Sequence, residues 1–116
     1  MRKKKLNLRL LTSTVNSRTI EKEVRVEFTK FAEKQMERLP KYIREQALDW
    51  IESLKISGLP ATRKSFGYHD EPLKGNRIGQ RSVRLNKAWR LLYQEFESEN
   101  RKWIQITVIE VNKHEY

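Results

Sequence analysis

The spacing of apolar residues changes twice along this chain, and that change sets the order of its secondary structure. Ile20, Val24, Val26 and Phe28 recur at even spacing with charged residues between them, the period of a strand with one buried face. The period then lengthens. Ala32, Met36 and Leu39 recur at helical spacing behind Thr29, a residue suited to capping a helix, until Pro40 interrupts the pattern. A second helical stripe follows, with Ile43, Ala47, Trp50 or Ile51, and Leu54 on one side, and Gly58 and Pro60 close it. Pro40 suits the first turn of that helix. Residues 59–72 read as a loop, long enough to carry function of its own. Even spacing then returns. Residues 81–85 pair with residues 88–96 across a tight turn at Asn86 and Lys87, and the latter pair with residues 103–111 across the polar turn ESENRK. The expected fold class is α+β: a strand, two helices, then a three-strand antiparallel meander. Both amphipathic helices cover one face of the sheet and leave the other open.

Size and composition restrict what can stabilise such a fold. At 116 residues the chain fits one domain. It has no cysteine, so packing alone must hold it together, and a cysteine nucleophile is excluded. The absence fits a reducing compartment, and a cytoplasmic location is expected. Structural zinc needs several cysteines or histidines, and His69 and His114 are the only two histidines. No metal or other cofactor is expected.

The amino terminus, MRKKKLNLRLL, begins like the basic region of an export signal. Asn7 and Arg9 break the apolar run that such a signal requires. Leu6, Leu8 and Leu10 alternate with polar residues, as in a short strand added to a sheet edge. Residues 1–19 are therefore read as a basic extension, either an edge strand or a disordered arm, and residues 20–116 as a single domain. No apolar run approaches the ~20 residues of a membrane-spanning helix, so no membrane partner is expected.

The formal charge of +10 makes a polyanion the expected partner, because a basic surface gains affinity by releasing counterions from phosphates. The charge is patterned. Between Glu71 and Glu95 the chain carries Lys74, Arg77, Arg81, Arg84, Lys87 and Arg90 without one acidic residue, interleaved with strand-forming residues. A sheet built from this segment would display cations at fixed positions. The last residues, VNKHEY, add a titratable His114 and a terminal Tyr116. Ordered arginines beside such groups are suited to holding a phosphodiester and moving a proton near it.

The order of elements, together with LKG, GQRSVRL, WRLLY and a closing strand that runs into a short His/Tyr tail, resembles the RelE/ParE superfamily of bacterial toxin–antitoxin toxins, and within it the RelE and HigB branch. The resemblance covers residues 24–116 and is most specific over residues 73–93 and the tail. It implies a ribosome-dependent, metal-independent endoribonuclease that cuts mRNA in the ribosomal A site and inhibits translation. It also implies an antitoxin partner that masks the toxin in a hetero-oligomer. Carried over by position, Arg84 occupies the basic position on the strand before the turn, and Arg90 that of a recurrent phosphate-binding arginine. His114 and Tyr116 fall in the tail where relatives place proton-transfer residues. His69, in the loop before LKG, corresponds to a histidine of HigB-like relatives.

Metal-free RNA cleavage explains why these residue types are needed. The ribose 2′-OH attacks the adjacent phosphorus and gives a 2′,3′-cyclic phosphate, so a base takes one proton while an acid protonates the leaving 5′ oxygen. Arg84 and Arg90 would neutralise charge on the phosphate with fixed bidentate donors. Neighbouring cations lower the proton affinity of His114, which suits it to act as the base near neutral pH. Tyr116 could orient the base, stack on a nucleobase or donate a proton, and Lys113 could serve as acid or phosphate contact. Lys74, Arg77 and Arg81, with Lys113 and His69, are expected contacts to mRNA or ribosomal RNA. Two other functions fit the same fold: a ParE-like inhibitor of gyrase, which has no need of His114 or Tyr116, and a noncatalytic RNA-binding module.

Overall fold

The computed structural model describes residues 22–113. Residues 1–21, which include the basic extension and Ile20, lie outside the described residues, as do His114, Glu115 and Tyr116. The chain runs through β1 (Glu23–Phe28), α1 (Lys30–Arg38), α2 (Lys41–Ser57), α3 (Leu59–Lys64), β2 (Glu71–Pro72), a 3-10 turn (Gly75–Arg77), β3 (Gln80–Arg84), β4 (Trp89–Glu97) and β5 (Trp103–Lys113). The strands form one five-stranded sheet in the order β1-β5-β4-β3-β2. β1 joins β5 in parallel, while β2, β3, β4 and β5 are antiparallel neighbours.

The expected strand, two helices and meander are present, with additions. The segment read as a loop contains α3, and its end contributes the two-residue edge strand β2. Gly58 permits the third helix. Its φ of 88° lies in the left-handed region that glycine enters without penalty, and its N–H bonds the Leu54 carbonyl at 3.0 Å. Chain direction therefore changes without a long linker. Proline normally marks an ending, but Pro60 here occupies the first turn of α3, where a missing N–H costs nothing.

The helices lie on one face of the sheet. Thr29 joins strand to helix: its hydroxyl accepts the Ala32 N–H at 3.0 Å and donates to the Ile109 carbonyl at 3.1 Å. Arg44 of α2 donates to the carbonyls of Met36, Glu37 and Leu39, satisfying the end of α1. Ile43, Ala47, Trp50 and Leu54 of α2 are fully buried against Val83, Leu91, Tyr93, Ile106 and Val108 of the sheet. The Trp50 and Tyr93 rings meet with centroids 5.1 Å apart. β5 carries a bulge opposite Leu92 and Tyr93. Beyond it, the Val111 N–H donates to Gln35 Oε1 of α1 at 2.7 Å.

Candidate phosphate-binding site on the open sheet face

Strand register decides which cations share a surface. Arg84 of β3 and Arg90 of β4 are direct cross-strand partners, and Arg90 also pairs with Asn112 of β5. Alternation then puts Ser82, Arg84, Arg90, Leu92, Glu110 and Asn112 on the face away from the helices, because Val83, Leu91 and Val111 between them enter the core. Asn86 fixes the turn that brings the two arginines together. Its Oδ1 accepts the N–H groups of Ala88 and Trp89, both at 2.8 Å.

The two guanidinium groups differ in their surroundings. Arg90 donates to the Ser82 hydroxyl at 3.3 Å, and its nearest carboxylate is Glu71 at 3.8 Å. Among the described residues, no hydrogen bond or ion pair holds the Arg84 side chain; only its backbone N–H is engaged, by the Tyr68 carbonyl at 2.7 Å. Like charges directly opposite on a ladder repel. An anion placed between these two would relieve that repulsion and could accept N–H donors from both guanidinium groups.

Arg77 reaches the same face from the 3-10 turn, but its charge is already matched. It bonds Glu110 at 2.7 Å and Gln80 at 2.8 Å. Glu110 also accepts from Asn112 at 2.5 Å. Arg77 therefore bridges the turn to β5, and the expected RNA contact there has a carboxylate to compete with. Lys74, at the start of the turn, is exposed. Lys113 is exposed at the end of β5, where it pairs with Trp89 and so has the helix-side parity of Val111, opposite to that of Asn112. His69 is exposed, with a left-handed φ of 46°.

Arg81, an expected RNA contact, lies on the other face of the sheet from Arg84 and Arg90. It alternates with the arginine pair and emerges on the helix side, where its Nε donates to Asp70 Oδ1 at 2.6 Å. The Asp70 carboxylate is 1% exposed and also accepts the Tyr93 hydroxyl at 2.6 Å. Arg63 of α3 completes the cluster, donating to the Tyr93 oxygen at 3.0 Å and to Glu95 at 2.5 Å. Burial raises the Tyr93 phenol well above its ordinary range, and the Asp70 hydrogen bond adds to the effect while Arg63 opposes it. Burial weakens the charged form of Arg63, yet the bonds to Tyr93 and Glu95 outweigh that and raise its pKa. The cluster holds Asp70, the residue before β2, and so fixes the strand that carries Glu71.

Sequence reasoning missed Glu71, Ser82 and Asn112. Glu71 bounds the acid-free segment, and alternation from Arg84 would have reached Ser82; Asn112 depends on the register with β5, which alternation along one strand cannot supply. Among the described residues, no group of His, Asp and Glu side chains is gathered closely enough to hold a metal ion. No helix among them is long and apolar enough to cross a membrane.

A helix-backed mixed sheet displaying paired arginines on the face away from the helices defines a class of small basic α+β proteins. Solved structures narrow that class. A YoeB/ParE toxin from Agrobacterium tumefaciens superposes with a TM-score of 0.61 at 22% identity, over 78% of this chain and 99% of the toxin. The heterotetrameric YoeB-YefM toxin-antitoxin complex from Staphylococcus aureus contains a chain matching at a TM-score of 0.56 and 22% identity, over 81% and 99%. The intact RelBE toxin-antitoxin complex of E. coli matches at 0.51 and 22%, over 79% and 98%. The protein has the fold of the RelE/ParE-superfamily toxins. No family model matches the chain, and no curated protein matches it in sequence.

Proposed function

We propose that the protein is the toxin of a toxin–antitoxin pair and acts as a ribosome-dependent, metal-independent endoribonuclease that cuts mRNA in the A site. The observation that carries this reading is the cross-strand pairing of Arg84 with Arg90 on the face away from the helices, where, among the described residues, no carboxylate pairs with the first and Glu71 lies 3.8 Å from the second. The shared fold with chains of known toxin–antitoxin complexes supports the antitoxin partner and a hetero-oligomeric assembly.

In this mechanism Arg84 and Arg90 grip the non-bridging oxygens of the scissile phosphate, and the charge that grows there in the transition state strengthens both contacts. Ser82 holds Arg90 in position from the neighbouring strand. β5 pairs with β4 as far as Lys113, one residue past Arg90's partner Asn112, and His114 is the next residue in the sequence. It takes the 2′-OH proton, and Tyr116 or Lys113 assists the leaving oxygen. Glu71 is a second candidate for the base, since its carboxylate is on the same face, 3.8 Å from Arg90 and 61% exposed. Arg77, Lys74 and His69 lie outside the reacting set and serve contacts to RNA.

Inducing the protein in growing cells and mapping RNA and DNA ends separates the readings. Cuts within translated codons, at the A site, support the nuclease. Double-strand DNA breaks dependent on gyrase would replace it with the ParE-like reading, and growth inhibition with neither would leave a binding module.

A further inference from the structure

We propose that the open sheet face carries a second RNA subsite, an aromatic slot between Phe96 and Trp103 that stacks a nucleobase of single-stranded RNA. The inference rests on RNA being the ligand of this face, and it assigns a role to residues that the cleavage chemistry does not use.

Alternation along β4 carries the face from Arg90 through Leu92 and Gln94 to Phe96, and on β5 the matching residues are Thr107, Gln105 and Trp103. Phe96 is 48% exposed, a large ring left in water on a sheet face. With Glu97, Ser98, Trp103 and Gln105 it lines an open cavity of about 320 Å³, at the small end of the range for ligand pockets. The Arg25 guanidinium lies 4.2 Å from the centroid of the Trp103 ring. Arg25, Gln105 and Phe96 are in register across β1, β5 and β4. The slot therefore combines two rings, an amide able to hydrogen-bond a base edge, and a cation stacked behind one ring. These are the parts from which sheet surfaces build base-stacking platforms.

The charges around the slot permit an anionic strand. Glu97 is paired with Lys22 and lies 3.9 Å from Arg101, Glu23 lies 3.5 Å from Arg25, and Glu27 accepts from Gln105 at 2.9 Å. The nearby carboxylates are thus engaged. Arg90 and Phe96 are six positions apart on one strand, or about 20 Å. A few extended nucleotides span that distance, so one strand can occupy the arginine pair and the slot together. A nucleobase is favoured over a protein side chain because the slot continues the face of the arginine pair on a chain of net charge +10.

Two fluorescently labelled RNA oligomers of equal length test this, one bearing bases and one with abasic sugars. Phe96→Leu and Trp103→Leu should each weaken binding of the base-bearing oligomer about tenfold and leave the abasic one unchanged. Phe96→Tyr and Trp103→Phe should restore most of the loss, which a merely misfolded surface would not do. Unchanged affinity in both leucine variants, equal loss on both oligomers, or no wild-type preference for bases would each overturn the slot. The proposed reaction is judged separately. If Arg90→Ala abolishes ribosomal cleavage while the leucine variants bind normally, the nuclease stands and the slot falls. If wild type cuts nothing yet the leucine variants lose base-dependent binding, the reverse holds.

Discussion

Arg84 and Arg90 face one another across two antiparallel strands, a placement that costs stability through repulsion and therefore needs a reason outside the fold. A like-charged cross-strand pair costs up to about 1 kcal/mol. Arg84→Ala should accordingly leave the melting temperature unchanged or raise it by a few degrees, and thermal unfolding followed by circular dichroism measures this. A drop of several degrees would show that Arg84 supports the fold. His114→Ala is expected to reduce cleavage by about two orders of magnitude or more while ribosome co-sedimentation persists. Undiminished cleavage would move the base role to Glu71, Tyr116, Lys113 or His69. Arg81 shows how one position of alternation separates identical chemistry: three residues from Arg84, it is bonded to Asp70 on the other face.

The short elements β2 and α3 depend on the cluster of Asp70, Arg81, Tyr93 and Arg63. Asp70→Ala removes the shared acceptor and leaves Arg81 unpaired, a change that should cost about 3 kcal/mol; urea unfolding gives the value, and a cost below about 1 kcal/mol would demote the cluster to a surface contact. The same cluster sets a pH response. The folded Tyr93 phenol keeps its proton where the unfolded phenol loses it. Its contribution is therefore complete below the ordinary tyrosine pKa of about 10 and declines as pH rises above it. Unfolding free energy measured from neutral to strongly alkaline pH should fall, with a shallower fall in Tyr93→Phe. The longer elements were legible from sequence because Val24, Val26 and Phe28, and then Ile43, Ala47, Trp50 and Leu54, repeat one period for long enough to identify it. α3 and β2 were not. Six residues behind a proline and two beside another carry too little periodicity, and long-range contacts to Tyr93 and Ser82 create them. The cross-strand pairing of Arg84 with Arg90 was not legible either: a two-residue turn at Asn86 and Lys87 would oppose Arg84 to Trp89, whereas the hairpin closes on Leu85 and Trp89 with three residues between them, which shifts the register by one. The bridge from Arg77 to Glu110 joins residues 33 apart in sequence.

The molecule as a whole divides its work between two faces. Helices, core and the buried ion cluster occupy one, while the other, among the described residues, is uncovered sheet from the arginine pair to the aromatic slot. With a net charge of +10, association with ribosomes should weaken steeply as salt rises, since each phosphate contact adds to the slope of log affinity against log salt. A flat response in sedimentation assays would remove the electrostatic basis of binding. Single-turnover cleavage of mRNA on programmed ribosomes, comparing wild type with Arg84→Ala and Arg90→Ala, examines the arginine clamp itself. Each alanine variant is predicted to bind the ribosome and to cut about a hundredfold or more slowly, with the residual product still ending in a 2′,3′-cyclic phosphate. Cleavage by either variant at the wild-type rate would contradict the account.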